Sequence, residues 1–520
     1  MANHCKDLPD ECWELIFKRL LLRHPSHLES LSLSCKRFLS ITNTLRTHFK
    51  ITHPTLIGPL FNRFPRLNSL DFSTFRGDDL HGVIVDVATS ELNLKSLNFS
   101  GTELPQESFK ILGSHMKNLK VLTCSRLATL RDIDLFVIAD AMPFLEDLKI
   151  CYPENDLGSD TEIEEGDRIP GQVGVTDRGI EVLSLKVKGL RKIDVSGNNF
   201  LTDKSLSALS ANCVCLTDIV VRNCSLITPK GIEFVMRNSP SLSRLSVQEI
   251  DFGRLDDYSI CCARSISHLQ IHHSVVSDEY LHSLANAVII SLDFCYNLTE
   301  STFFMLAKNC RLLKGVSIEV TNLGGGGDRV TNVVKNTQIK TVYLGNNPNL
   351  RDECLAKLAS VCPSLEVLDV SSCRRITEKG IADFLKSSSK IRKLRINECG
   401  GIKSIGNGFE LSEFEVLGAS RSGINDDGLK VIGNRCGRLR KLNLDGCLGV
   451  TTVGLKEILT NCKRLRRLNV TGCLNVSMET VDLMVFSRPS LRKIILSRSY
   501  LPSESQRKLF LHHGCLVLSE

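Results

Sequence analysis

Cysteine is the residue whose abundance most invites a chemical reading, since the chain carries 21 of them. Thiolates bind soft metals, attack carbonyls or pair as disulfides, and each use has a spacing requirement. No CxxC pair occurs, so neither a zinc ribbon nor a thioredoxin-like redox site has local support. The count is odd, and the amino terminus MANHCKDLPDECWELIF places acids where a signal peptide would carry its apolar run. Reduced thiols in an unsecreted protein of the cytoplasm or nucleus are therefore expected. His268, Gln270 and His272 alternate along one predicted strand, with Asp293 and Cys295 on the next. His272 and Cys295 could be neighbours, but a metal needs a third and fourth ligand that the alignment does not supply. No Ser/His/Asp or Cys/His set stands out, and the GGGG at 324–327 lacks the Lys-Ser/Thr of a phosphate loop. The expectation is no catalysis, no metal and no obligatory cofactor.

The elements that must position these residues repeat. The pattern apolar-x-x-apolar-x-apolar starts at Leu67, Leu94, Leu119, Leu145, Leu190, Leu216, Leu242, Ile266, Ile289, Leu313, Ile339, Leu365, Ile391, Phe414, Leu439, Leu465 and Leu491. The commonest spacing is 26 residues, within the range of leucine-rich repeats. In GRLRKLNLDGCLGVTTVGLKEILTNC at 437–462, a period-2 strand (Leu439, Leu442, Leu444) precedes a stretch of helical period (Leu455, Ile458, Leu459). One unit cannot bury its own apolar face, but stacked units bury it against both neighbours. The predicted fold class is an α/β leucine-rich-repeat solenoid, a horseshoe with a parallel inner sheet and outer helices, spanning 67–520. A small all-α module over 1–50 and a connection over 51–66 precede it.

The cysteines sort onto this period. Asn198, Cys224, Asn347, Cys373, Cys399, Cys447 and Cys473 lie eight residues after a repeat start. Cys213, Cys310, Cys362, Cys436 and Cys462 lie three residues before one. Asn and Cys alternate in the first column because an amide or a thiol can donate to the backbone as it turns out of the strand. The arrangement resembles the cysteine-containing class of leucine-rich repeats.

Residues 7–41 stand outside the repeat. Pro9 suits a first helical turn, Asp10 and Glu11 its positive end, and Cys12, Leu15, Ile16, Phe17 and Leu20 an apolar face. Those features alone describe an amphipathic helical module, which a capping unit for the solenoid would also satisfy. The order Leu8-Pro9-x-Glu11, Ile16-Phe17-x-x-Leu20 and Leu33-x-Cys35-Lys36-Arg37-Phe38 resembles the F-box, and the chain as a whole resembles plant-type F-box leucine-rich-repeat proteins. The departures are Ser34, where an apolar residue often stands, and Phe38, where Trp is frequent. The resemblance implies a non-catalytic substrate receptor of an SCF-type ubiquitin ligase. Leu8, Pro9, Glu11, Leu15, Ile16, Phe17 and Leu20 would bind a Skp1-like adaptor, and through it a cullin.

A target protein would then sit on the sheet, whose outward side chains are mostly polar or small. Between 390 and 500 there are 20 Lys and Arg against 10 Asp and Glu, while the whole chain carries +7. The excess recurs as Arg392-Lys393, Arg440-Lys441, Arg466-Arg467 and Arg492-Lys493, which makes Lys393, Arg395, Lys441, Arg467 and Lys493 the candidate target contacts, the alternative being a strip that is simply solvated. An acidic or phosphorylated segment, an inositol phosphate or a small-molecule ligand would suit such a strip. Nucleic acid would not, because stacking aromatics are missing. No run is apolar and long enough for a membrane. Two segments break the period: 152–174, with seven acids before its one base, and TNLGGGGDRV at 321–330. Loops of this kind on one rim help form a ligand pocket in plant hormone receptors of the family. The alternatives to a ligase receptor are an intracellular repeat scaffold or inhibitor and a ligand-gated hormone co-receptor.

Overall fold

The computed structural model describes residues 8–21, 27–54, 57–90, 92–105, 107–127, 129–152, 174–252, 265–282, 284–295, 297–324, 333–406, 408–477, 479–498 and 502–519. All seven acids of the 152–174 insertion, and most of the tetraglycine segment, lie outside them. The chain forms two compact units, Met1–Ser246 and Val247–Glu520.

The first unit opens with three helices, α1 (Asp10–Leu21), α2 (His27–Ser32) and α3 (Lys36–Leu45). They close on a core of Phe17, Leu28, Ile41 and Leu45, against which Trp13, Leu20, Leu21, Leu31 and Phe38 pack. Parallel strands follow, paired each to the next from His48–Lys50 to Asp218–Val221. In the second unit the same ladder runs from His268–His272 to Leu516–Ser519. Most of the helices between strands are ten residues long. The fold is an α/β leucine-rich-repeat solenoid.

Three apolar columns make the core, at the repeat start and three and five residues on. Leu119, Leu122 and Cys124, or Leu365, Leu368 and Val370, are all at most 1% exposed. Four such side chains per repeat, counting the helix, each contribute about 1.5–3 kcal/mol on burial. Each strand is only about three residues long because the next residues must turn. Seven residues after the start the chain enters the left-handed region: Arg126 (φ 57°), Asn223 (53°), Phe294 (60°), Asn346 (57°) and Ser372 (58°), with Gly101, Gly197, Gly446 and Gly472 at the equivalent place. Side chains other than glycine are strained there by about 1 kcal/mol or more. The amide of that residue is compensated by the next repeat: Arg126 donates to the Cys151 carbonyl (2.7 Å), Phe294 to Glu319 (2.9 Å) and Asn346 to Ser371 (2.7 Å).

The helices are tied repeat to repeat at their amino ends. The cap residue Thr202 donates from its amide and hydroxyl to Asp177 (2.8 and 2.6 Å), Thr228 likewise to Asp203, and Thr451 to Asp426. The aspartate is the first residue of the preceding repeat's helix, where the positive end of the dipole favours it. Its approach is close enough that a Cβ on Gly231 would stand 2.1 Å from the Asp203 Oδ1, which is why glycine occupies that turn.

Three expectations need correction. The strand Ile289–Ser291 pairs Ile289 with His268, so its repeat starts at the buried Ala287 and not at Ile289. Alanine is too small to have registered as the opening apolar residue. The sheet also extends one strand beyond each end of the predicted array, to His48–Lys50 and Leu516–Ser519. There Arg46 and Gly514 stand where the pattern calls for an apolar residue, so the predicted boundary at residue 50 falls immediately after a solenoid strand.

Candidate functional site

The cysteine columns are structural. Cys224 Sγ donates to the Val195 carbonyl (3.4 Å), Cys373 to Leu344 (3.2 Å), Cys399 to Val370 (3.4 Å), Cys447 to Ala419 (3.0 Å) and Cys473 to Leu444 (3.1 Å). Each acceptor is the buried residue that immediately follows the strand of the preceding repeat. Asn347 does the same work with an amide, donating to Ile318 (2.7 Å) and Leu344 (2.9 Å) while its Oδ1 accepts from the Thr321 hydroxyl (2.6 Å). Cys295 belongs to this column once the frame is corrected, because its thiol donates to Ile271 (3.4 Å). It therefore points into the turn and not toward His272. Burial pushes the thiols up, to about 12 at Cys373 and Cys462 and about 11 at Cys213, Cys295 and Cys310. Such thiols are poor nucleophiles and poor metal ligands. Among the described residues no group of three or more His, Cys, Asp and Glu could hold a metal, and no helix is long and apolar enough to cross a membrane.

Two surfaces remain. The first is on the amino-terminal module. The Pro9 carbonyl accepts from the amides of Cys12 (3.0 Å) and Trp13 (3.2 Å), starting α1. Arg37, from the start of α3, donates to the Leu8 carbonyl (2.7 Å) and to Asp10 Oδ1 (2.7 Å), clamping the Leu8-Pro9 turn. Helix α1 has two apolar faces where one was expected. Trp13, Phe17 and Phe38 form an aromatic cluster with ring centroids 4.8–5.8 Å apart, and Leu20 packs against the same core. Leu8 (42% exposed), Leu15 (64%) and Ile16 (39%) face outward, and so does Leu33 (87%) of the following turn. Pro9 and Glu11 are exposed as well. Of the seven residues expected at the adaptor contact, Phe17 is thus buried beneath it and Leu20 half-buried. Helical period alone groups positions 12, 16 and 20 with 13 and 17, so a single wide face was the natural reading.

The second surface is the basic sheet face of the second unit. Lys441, Arg467 and Lys493 are paired on three consecutive parallel strands, which sets them about 4.8 Å apart along the ladder. Lys393 is one strand removed, separated from Lys441 by Val416. Arg395 is engaged by Asp369, Nη1 to Oδ2 at 3.2 Å. Partial burial, then the charges of Arg467, Lys393 and Arg440, hold the Lys441 ammonium below its usual range, as expected for like charges opposed without counter-ions. Earlier strands carry the opposite sign. Asp293 accepts from the hydroxyls of Ser291 (2.5 Å) and Ser317 (2.7 Å) and lies 3.8 Å from His272 Nδ1. Glu319, pushed up by burial and then by Asp369 and Asp293, completes an acidic stretch of the same face.

Arg438, Lys463 and Arg464 were not anticipated beside the charged pairs. Arg438, Arg440, Lys463, Arg464 and Arg466 line a groove of about 440 Å³ with Glu415 and Ser490. The run KRLRR at 463–467 was the available signal, but the pairwise pattern at strand starts drew attention to half of it.

No family model matches the chain. Coronatine-insensitive protein homolog 2 of rice, in both Oryza sativa subsp. indica and subsp. japonica, is 25% identical over 372 residues, covering 63% of this chain. The chain spans about 60% of the length of these curated relatives. Among solved structures, the yeast Rad7 and Elc1 complex contains a chain that is 15% identical, with 99% of this chain and 98% of that one covered at a TM-score of 0.38. An internalin (inlF) from Listeria monocytogenes is 13% identical, with 83% and 91% covered at a TM-score of 0.34.

Proposed function

We propose that the chain is the target-recruiting, non-catalytic subunit of a ubiquitin ligase. It docks a Skp1-like adaptor, and through it a cullin, on the outward face of the amino-terminal module, and holds a target protein on the sheet face of the repeats. The observation that carries this reading is the division of α1. The module's core is complete with Trp13, Phe17 and Phe38, yet Leu8, on a turn clamped by Arg37, and Leu15 and Ile16, on the helix that follows it, stand outside that core. Apolar side chains held rigid in water lower the entropic penalty of docking, and each would contribute about 1.5–3 kcal/mol if covered. Support comes also from the order of residues between Leu8 and Phe38, which resembles the F-box. Ubiquitin transfer would then be accelerated by proximity, with the chemistry in partner proteins.

The test is capture of purified Skp1 by the full chain. Leu8→Ala with Pro9→Ala should abolish capture, while wild type should bring down Skp1 together with a cullin. Failure of wild type to capture Skp1 would leave a repeat scaffold without a ligase role.

A further inference from the structure

The groove in front of the late strands holds more cations than it has counter-ions for. Glu415, the one acid in its wall, is already engaged twice, by Arg392 and by Arg440 (3.6 Å), and its carboxyl is held below the usual range first by the Arg392 hydrogen bond. Arg438 is paired with Glu413 at 2.6 Å. Among the described residues Lys463, Arg464 and Arg466 have no acidic partner, and all three are exposed. The rung Lys441, Arg467, Lys493 continues the same charge onto the sheet face. In two earlier repeats the residue equivalent to Arg440 and Arg466 is a lysine neutralised across the ladder, Lys120 by Glu146 (2.5 Å) and Lys340 by Glu366 (2.9 Å). Among the described residues, Lys441, Lys463, Arg464, Arg466, Arg467 and Lys493 therefore gather on three consecutive repeats with no carboxylate paired to them.

We propose that this groove binds a phosphorylated, acidic segment of a target protein. The phosphate sits among Arg440, Lys463, Arg464 and Arg466, and flanking acids run across Lys441, Arg467 and Lys493. Arginine dominates the groove, and its planar fork matches phosphate oxygens in pairs. A phosphoserine brings about two negative charges to one point, which a single carboxylate cannot. The volume lies at the lower end of pockets that enclose one modified side chain and its neighbours. An extended peptide suits the arrangement because the six cations are spread along the ladder instead of converging on one centre. No aromatic side chain lines the groove on which a base could stack. The inference rests on the proposed receptor role only in calling the bound segment a target.

The experiment uses the purified full chain without any adaptor, so its outcome is independent of Skp1 capture. A fluorescein-labelled peptide of about a dozen residues, with two phosphoserines among glutamates, is titrated by fluorescence polarisation. Replacing phosphoserine by serine, or Arg464→Glu with Arg466→Glu, should weaken binding about tenfold or more. Lys308→Glu with Lys335→Glu changes net charge equally at another basic place in the unit and should alter it less than about twofold. Arg464→Gln with Arg466→Gln, which adds no like charge beside the acids, should also weaken binding and serves if the reversed protein melts early. The proposal is overturned if the peptide does not bind, or if the groove variants bind as wild type does. Equal weakening by the Lys308 and Lys335 variant also overturns it, as does tighter binding of inositol hexakisphosphate or oligothymidine than of the peptide.

Discussion

A repeat and the amino-terminal module treat their surfaces in opposite ways. Within a repeat, polar groups at the turns are answered by neighbouring repeats: Thr caps by the preceding Asp, left-handed amides by a carbonyl of the next repeat, and carbonyls just past the strands by Asn347 or a thiol. The module has no repeating neighbour. Its core is small, its turn is held by one arginine, and Leu8, Leu15, Ile16 and Leu33 are left outside. A self-satisfied ladder is a scaffold, whereas an organised but uncovered apolar face is complementary to something else.

The comparison can be broken most forcefully at Phe17. Phe17→Ala removes the centre of the aromatic cluster and should cost about 3–5 kcal/mol, more than so small a core can absorb. Hydrogen exchange should show α1 to α3 losing protection while the strand amides of the repeats keep theirs. Loss of protection in both would mean that the module and the ladder do not fold independently.

Within the ladder, Asn347→Ala should lower stability by about 2–4 kcal/mol in urea unfolding, because it strands two buried carbonyls and the donors of Thr321. Cys373→Ala at the equivalent position removes one weak thiol donor and should cost about 1 kcal/mol. If both substitutions cost the same, hydrogen bonding is not what the column provides.

The thiols give the ladder a pH dependence of definite sign. Burial raises their folded values to about 11 or 12, above the unfolded value of about 8.5. The folded state thus holds protons that the unfolded chain releases. Their contribution is complete below about pH 8.5 and is lost progressively as pH rises toward the folded values. Urea midpoints should fall from about pH 8.5 upward, and less so in a Cys373→Ala, Cys462→Ala variant. At neutral pH iodoacetamide should label the exposed Cys35 and Cys215 in preference to the buried columns.

The smallest expected effect is at the clamp. Arg37→Ala removes the bonds of a partly exposed side chain to Leu8 and Asp10 and should cost about 0.5–1 kcal/mol of stability, yet loosen the Leu8-Pro9 turn. Adaptor capture should weaken more than the melting temperature shifts.

Much of the ladder was legible because burial imposes a period that composition cannot hide: the start residue and those three and five residues after it are apolar in nearly every repeat. The left-handed residue was not, because Arg126, Phe294 and Ser372 occupy it where only Gly and Asn announce such a backbone. The Thr–Asp ladder was written plainly as Thr176-Asp177 and Thr202-Asp203 but joins residues 25 apart, or 44 apart across the insertion, which local reading does not connect. The terminal strands were hidden by Arg46 and Gly514, since an end repeat need satisfy only one neighbour. On the module, residue types indicated which side chains matter, and only packing separated Phe17, inside, from Leu15 and Ile16, outside. The charged strip was legible as a surplus, but which cations were already paired was a matter of three-dimensional neighbours: Arg395 is spent on Asp369, while Arg466 is not.

The most direct measurement of the proposed role is Skp1 capture by Leu15→Asp with Ile16→Asp, two exposed positions whose replacement leaves the aromatic core intact. The proposal predicts that wild type binds Skp1, that the double variant does not, and that both melt alike. Capture of Skp1 by the variant as well as by wild type would contradict it.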